Sequence, residues 1–375
     1  MTVAIAEHSR SGRIAAIQRS WLRRPAVIVA VFYTAIVIAL LATHEWDARF
    51  FATLGPQWQR HDPGLSKRAD GSIYYAFATD PRGAAEQYPR ARTARVLYPM
   101  AARVLALGSS ELVPWTLVLV NVLAIVLGTE VLHRLLERRH LPSWAALAYG
   151  GWVGLGLALL HDTGEPISYL CALLGIAWLE RSRPALACAA FVAALLGRET
   201  TILLIAPYLL TGPDHGAFRW WLPTVVVLAG IGWGAYLALA GVGPWVGFTL
   251  WRLPLSGFLR TRLVDLPITL LYIVIPALVL AAGAGWALRR RAADPALWGL
   301  MLNALSIFLM PGGSAAFLWH SARLSTGLVT AALLAAHLAT SAPRSWRILA
   351  VLWVTSASWT IAVTVRYLYW DVVGP

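Results

Sequence analysis

The sequence predicts an all-α, polytopic membrane protein, and three observations carry that reading. Hydrophobic residues make up 58% of the 375 residues and charged ones only 13%, for a mean hydropathy of +0.63. Stretches near twenty apolar residues recur from Pro25 to Tyr369, each able to cross the roughly 30 Å of hydrocarbon in a bilayer. The ionisable residues that remain sit in short gaps between these stretches, or in one long gap after the first. With no soluble-looking block beyond that gap, residues 1–375 read as one integral-membrane domain.

The expected spans are 26–43, 112–132, 143–160, 166–180, 184–197, 200–212, 222–241, 267–288, 296–311, 323–340 and 347–367, about eleven in all. Two of them, 184–197 and 200–212, are short enough to form one broken or re-entrant pair. Residues 1–25 are polar and Arg-rich without a small-residue cleavage site, so the first span is expected to stay as an anchor. Arg10, Arg13, Arg19, Arg23 and Arg24 precede it and place the N-terminus in the cytoplasm. Alternation then puts Arg134/Arg138/Arg139, Arg181/Arg183, Arg219, Arg289/Arg290/Arg291 and Arg344/Arg347 all inside. The expected location is therefore the inner (plasma) membrane, crossed many times. This loop bias accounts for the net charge of +13 and pI near 10.4 without a nucleic-acid partner. Cys171 and Cys188 both lie in apolar stretches and read as small core residues.

The long gap, 44–108, falls outside the cell in this arrangement. Within it 47–54 and 93–107 have helical apolar spacing, with Val96, Ala101, Val104 and Leu107 on one face and Arg92, Arg95 and Arg103 elsewhere. Such segments lie along a membrane surface rather than across it. Pro56, Pro63-Gly64 and Pro81 break the rest into turns.

Four polar clusters share the outer side: Asp70-Gly71-Ser72-Ile73-Tyr74-Tyr75 with Asp80-Pro81; Arg92, Arg95 and Tyr98-Pro99; His161-Asp162-Thr163-Gly164-Glu165-Pro166; and Arg198-Glu199-Thr200. Each has a bland reading. Asp70-Gly71 is a strong turn former, Asp162 or Thr163 could cap the helix opened by Pro166, Arg198-Glu199 could be a structural ion pair, and Arg92 and Arg95 could snorkel to lipid phosphates. Together they point further, because ionisable groups at membrane depth are costly and face a cavity or a partner. A carboxylate beside a hydroxyl can act as general base, and guanidiniums grip phosphate oxygens bidentately. That equipment suits transfer of a sugar from a lipid-linked phosphate. No Walker-type loop or dinucleotide fingerprint is present to use a cytosolic nucleotide-sugar, and the Cys/His pattern gives no strong metal site. No cofactor is expected, although Asp70, Asp80, Asp162 and Glu165 are oxygen donors of the kind that hold Mg²⁺ or Mn²⁺.

Asp70-Gly71-x-x-Tyr74-Tyr75, Asp80-Pro81, Arg95-Val96-Leu97-Tyr98-Pro99, Asp162-x-x-Glu165-Pro166 and Arg198-Glu199-Thr200, in that order, resemble bacterial integral-membrane glycosyltransferases of the GT-C type. The layout is distantly similar to the GPI mannosyltransferases, though Ala69 stands where those have His before Asp-Gly. The resemblance covers about 26–210; over 211–375 only the alternation of spans matches. It implies an acidic catalytic residue in the first outer loop, a polyprenyl-phosphate sugar as donor and a glycan or lipid hydroxyl as acceptor, with inversion at the anomeric carbon. The expected catalytic residues are Asp70, Asp162 and Glu165. Arg95 and Arg198, with Arg92, Arg323 and His320, are expected on the donor phosphate, and Tyr74, Tyr75, Asp80, Tyr98, His161 and Glu199 around the substrate. Two rival classes remain: a flippase for a lipid-linked saccharide, and a non-catalytic assembly protein. The first is disfavoured because Asn121 and Asn303 are nearly the only polar residues in the middle of the spans.

Overall fold

The computed structural model describes residues 24–53, 70–87, 95–211, 218–239, 258–263, 265–291, 293–310, 318–338 and 343–373. All regular secondary structure among them is helical. Helix α1 (Pro25–Thr43) opens on a proline, whose missing N–H costs nothing in a first turn, and runs on without a charge. Its 19 residues reach about 28 Å at 1.5 Å per residue, close to the hydrocarbon thickness.

The segment expected outside contains α2 (Arg49–Thr53), α3 (Asp70–Thr79), α4 (Pro81–Gln87) and α5 (Leu97–Leu105). Helices α2 and α5 fall inside the stretches 47–54 and 93–107 that the spacing predicts. Asp70-Gly71 does not form a turn: both residues belong to α3. Tyr98, Pro99 and Ala102 of α5 face inward, whereas Val104 and Leu105 are exposed and Leu107 beyond them is 92% exposed. Arg103 turns back to cap α3, its Nη1 donating to the carbonyls of Ala78 at 2.7 Å and Thr79 at 2.8 Å. A small core of Tyr74, Ala78, Tyr98, Ala102, Val113, Leu117 and Val120 fastens α3 and α5 to the next helix, α6 (Val113–Arg138).

After α6 come α7 (Ser143–Gly150) and α8 (Val153–Leu160), a pair bent by 42°. The bend frees backbone groups that cannot stay unpaired in a low-dielectric interior. Ser356 supplies them: its Oγ accepts from the Val153 N–H at 3.1 Å and lies 3.4 Å from the Gly151 carbonyl. The indole Nε1 of Trp152, at the bend, donates to the Ala322 carbonyl at 3.0 Å. Next are α9 (Glu165–Leu179), α10 (Pro184–Gly197) and α11 (Ile202–Thr211), the last two separated by extended backbone at Arg198 and a 3₁₀ turn at Glu199–Thr201. The chain is thus interrupted between the expected spans 184–197 and 200–212.

The remaining described helices are α12 (Phe218–Leu239), α13 (Leu266–Leu288), α14 (Pro295–Phe308), α15 (Leu318–Leu324), α16 (Thr326–Ala335), α17 (Pro343–Thr355) and α18 (Ala357–Val373). Asp294 caps α14, its Oδ1 accepting from the N–H groups of Ala296 and Leu297. Among the described residues, four helices are long and apolar enough to cross a membrane: Pro25–Thr43, Val113–Arg138, Leu266–Leu288 and Ser345–Leu368. The bent α7–α8 pair makes a fifth. Within the expected spans 166–180, 184–197, 200–212 and 296–311 the described apolar helices are Glu165–Leu179, Pro184–Gly197, Glu199–Leu210 and Pro295–Phe308, each only 10–17 residues long.

Among the described residues, the ion pairs that join different helices or connections fall into two groups. One links Arg95 to Glu199, Arg198 to Glu165, and Arg323 to both Asp70 and Glu165. The other links Arg139 to Glu180 and His337 to Asp294. In each of these pairs both partners lie in gaps or near span ends that alternation along the sequence assigns to one side, so these described ion pairs collect at two opposite ends of the helices.

Candidate functional site

The larger polar group is built around the short connection from α8 to α9. His161 closes α8, and Asp162 follows with φ of +46°, a left-handed conformation that aspartate tolerates better than most residues. The connection is not capped as the sequence suggests. Gly164 occupies the N-cap of α9 with no side-chain bond, and the Thr163 hydroxyl donates back to the Ala158 carbonyl. Helix α3 is pressed against this connection. A Cβ on Gly71 would stand 2.5 Å from the His161 carbonyl oxygen and 2.9 Å from that of Ala52, so only glycine lets the helix approach. Glycine after Asp70 thus has a packing reason, and it brings the Asp70 carboxylate to the α8–α9 turn.

Asp70, Glu165, Arg198 and Arg323 meet there, from α3, α9, the α10–α11 break and α15. Arg323 Nη2 donates to Asp70 Oδ2 at 2.8 Å, and its Nε stands 3.6 Å from Glu165 Oε1. The same Glu165 oxygen accepts from Arg198 Nη1 at 2.5 Å. Glu165 is 0% exposed, Arg198 and Arg323 6% each. Two carboxylates balance two guanidiniums, which is what buried charges require. Hydrogen-bonding capacity is left over: Arg198 Nε, Arg323 Nε, Glu165 Oε2 and Asp162 Oδ2 are buried without a hydrogen-bond partner in the described protein. A cluster whose charges balance while its donors stay unfilled suits a ligand with several acceptor oxygens.

Beside it, Arg95 grips Glu199 with two parallel bonds, Nε to Oε2 at 2.9 Å and Nη2 to Oε1 at 2.5 Å. Burial works against the Glu199 charge, but Arg95 outweighs it and holds the carboxyl below its usual range. The ion pair of Glu199 with its neighbour Arg198, the bland alternative, does not occur; each residue instead reaches a different segment. Tyr98 hydroxyl accepts from Asn121 Nδ2 at 2.8 Å and lies 3.1 Å from Asp162 Oδ1 and 3.0 Å from the Leu117 carbonyl. The Tyr74 ring stands edge-on to that of Tyr98, centroids 5.5 Å apart. Burial pushes the Asp162 carboxyl well above its usual range, against the hydrogen bonds from Tyr98 and Asn121. Burial, then the nearby Arg323 and His320, push His161 down to about 3, so its ring is neutral at pH 7. Its Nε2 lies 3.3 Å from the Tyr367 hydroxyl, and Trp319 stands at 5.7 Å between centroids.

Asp70, Arg95, Tyr74, Tyr98, His161, Asp162, Glu165, Arg198, Glu199 and Arg323 are thus gathered at one end. His320 is half-buried beside Trp319, and Tyr75 packs half-buried on the small core around Tyr98. Asp80 is not gathered: it caps α4, its Oδ1 accepting from the N–H groups of Arg82 and Gly83, and ten helical residues put it about 15 Å from Asp70. Asp70, Asp80, Asp162 and Glu165 consequently do not form one oxygen cage, and Arg323 already faces two of them. Arg92 lies outside the described residues. Tyr367 and Trp319 join from segments far along the chain where nothing in the sequence marks them, whereas Asn121 is marked by being polar inside an apolar span.

Comparison with models of known protein families, with characterised proteins and with solved structures gave no match in any of the three.

Proposed function

We propose that this protein is a membrane glycosyltransferase that moves a sugar from a polyprenyl-phosphate donor to an acceptor hydroxyl at the extracytoplasmic face. The observation that supports this reading best is the cluster of Arg198, Arg323, Glu165 and Asp70: two buried guanidiniums with unfilled donors beside a carboxylate at the mouth of the group. The residue order quoted above, which resembles GT-C enzymes, supports the same class. The reading includes the eleven-span arrangement, with the shorter helices crossing alongside the four or five longer ones, and an N-terminus in the cytoplasm of the plasma membrane.

In this mechanism Arg198 and Arg323 bind the donor phosphate, with Arg95 held at the rim by Glu199. Phosphate oxygens compete with Asp70 for Arg323, which releases the carboxylate. Asp70 then takes the proton of the acceptor hydroxyl as its oxygen attacks the anomeric carbon. The bond from that carbon to the phosphate oxygen breaks, and polyprenyl phosphate leaves with its new negative charge on the guanidiniums. Attack opposite the leaving group inverts the anomeric centre. The bent α7–α8 pair is a feature that a flippase shares. Its freed backbone groups are filled by Ser356 rather than open to cargo, which favours the enzyme. The test is to incubate purified protein with a panel of polyprenyl-phosphate sugars and follow release of polyprenyl phosphate. Release that depends on an acceptor supports the reading. Lipid movement between leaflets without release favours the flippase.

A further inference from the structure

We infer that the far end of α6 and α9 carries a binding site for the headgroup of an anionic phospholipid. A cavity of about 200 Å³ opens between these helices, at the end opposite the cluster of Asp70 and Arg323. Leu127, Arg134 and Arg138 share one face of α6, spaced by seven and four residues, and Leu174 and Arg181 share the facing side of α9 and its end. The lining therefore changes along the cavity. Along the helices, Leu127 and Leu174 line it farthest from the helix ends, Trp178 lies one turn on, and three guanidiniums line it toward the ends.

The charge at the mouth is unbalanced. Glu130 is the one carboxylate in the lining, and Arg134 Nε already holds it at 2.7 Å. Arg138 and Arg181 make no ion pair among the described residues, although neighbouring Arg139 is paired with Glu180. Both are exposed. Leu127, 49% exposed, continues this apolar lining onto the exposed surface of Leu123 and Leu119 on the same helix. A headgroup phosphodiester thus meets Arg138 and Arg181, while acyl chains leave along Leu127 and Leu174. At about 30 Å³ per water the cavity, about 200 Å³, holds roughly seven waters, enough for a phosphate and its first carbons but not for a whole lipid. Basic pockets between helices at a membrane boundary take anionic headgroups in this way, and a tryptophan at that depth suits the interface. Free inorganic phosphate would use the guanidiniums alone, leaving the apolar wall without a role.

Native mass spectrometry of the detergent-solubilised full chain, titrated with phosphatidylglycerol or phosphatidylcholine, tests the site. Phosphatidylglycerol is expected to bind and phosphatidylcholine not. The exposed pair Arg138→Gln/Arg181→Gln is expected to weaken phosphatidylglycerol binding about tenfold or more. The pair Arg289→Gln/Arg291→Gln, exposed and outside the cavity, is expected to leave it unchanged. Unchanged binding in the first variant, an equal loss in the second, equal uptake of phosphatidylcholine, or displacement of the lipid by millimolar inorganic phosphate would each overturn the assignment.

Discussion

Glu165 shows at the scale of one residue how the cluster is held. Its Oε1 serves Arg198 and Arg323 together, in a place closed to solvent. Removing one member of a buried pair strands the other charge, at a cost of about 3–5 kcal/mol. Glu165→Gln is therefore expected to lower the melting temperature more than Asp70→Asn, because the Asp70 side chain is 17% exposed and water can reach Arg323 there. The double variant Glu165→Gln/Arg198→Gln should regain part of the loss, and additive losses would mean the two do not interact. Asp70→Asn is expected instead to cut turnover by about 10²–10⁴ in a folded protein. A folded Asp70→Asn enzyme working at the normal rate would remove Asp70 as the base. Arg95 differs again, since one ammonium cannot span both Glu199 oxygens. Arg95→Lys should raise the donor KM roughly tenfold or more, at about 1.5–3 kcal/mol per charged hydrogen bond. A normal KM would leave Arg95 as a structural clamp.

His161 gives a pH dependence with a definite sign. Its folded value of about 3 lies below the ordinary 6.5, so the unfolded chain binds the proton first as pH falls. This contribution to stability is complete above 6.5 and is lost as pH drops from 6.5 toward 3. Asp162, raised by burial, has the opposite sign: it favours the fold at low pH, and that contribution fades as pH rises above the ordinary carboxylate value. A His161→Gln variant should flatten the fall of melting temperature between pH 6.5 and 4. An unchanged slope would show that His161 is protonated in the folded protein.

At the scale of elements, two close approaches decide whether the site forms. Gly71 lets α3 touch the α8–α9 turn, and the atoms a Cβ would strike are backbone oxygens that cannot swing aside. Gly71→Ala is expected to cost about 1–3 kcal/mol and to reduce activity although every charged residue remains. Full stability and activity would mean that α3 can be reseated freely. The second approach is at the bend between α7 and α8, where Ser356 answers the Val153 N–H from the junction of α17 and α18. That bond fastens the last two helices to the middle of the chain, and Tyr367 on α18 then reaches His161.

At the scale of the whole molecule, the described ion pairs between helices gather at two ends, and the proposed orientation can be read from accessibility. Ser110 and Ser182 are both exposed and lie at opposite ends. With Cys171 and Cys188 replaced, Ser110→Cys should react with an impermeant thiol reagent on intact cells and Ser182→Cys only after lysis. The reverse pattern would overturn the orientation and the outer-face chemistry with it.

Much of this was legible in the linear sequence because it is short-range. Hydrophobic runs determine that helices form and that most are apolar all round, since each run must satisfy its own backbone in an apolar medium. The gaps, by alternation, determine which polar residues share an end. Partners were not legible. Arg198 and Glu199 are neighbours in sequence, yet backbone extended at Arg198 sends one to Glu165 and the other to Arg95. Asp70-Gly71 reads as a turn because turn preference is local, and becomes a helix because α3 is packed on His161 and Ala52. Asp80, similar to Asp70 on paper, is kept away by the length of one helix. Charge type and side follow from composition along the chain. Which carboxylate meets which guanidinium depends on contacts between residues as much as 253 positions apart, and those are set only when the helices pack.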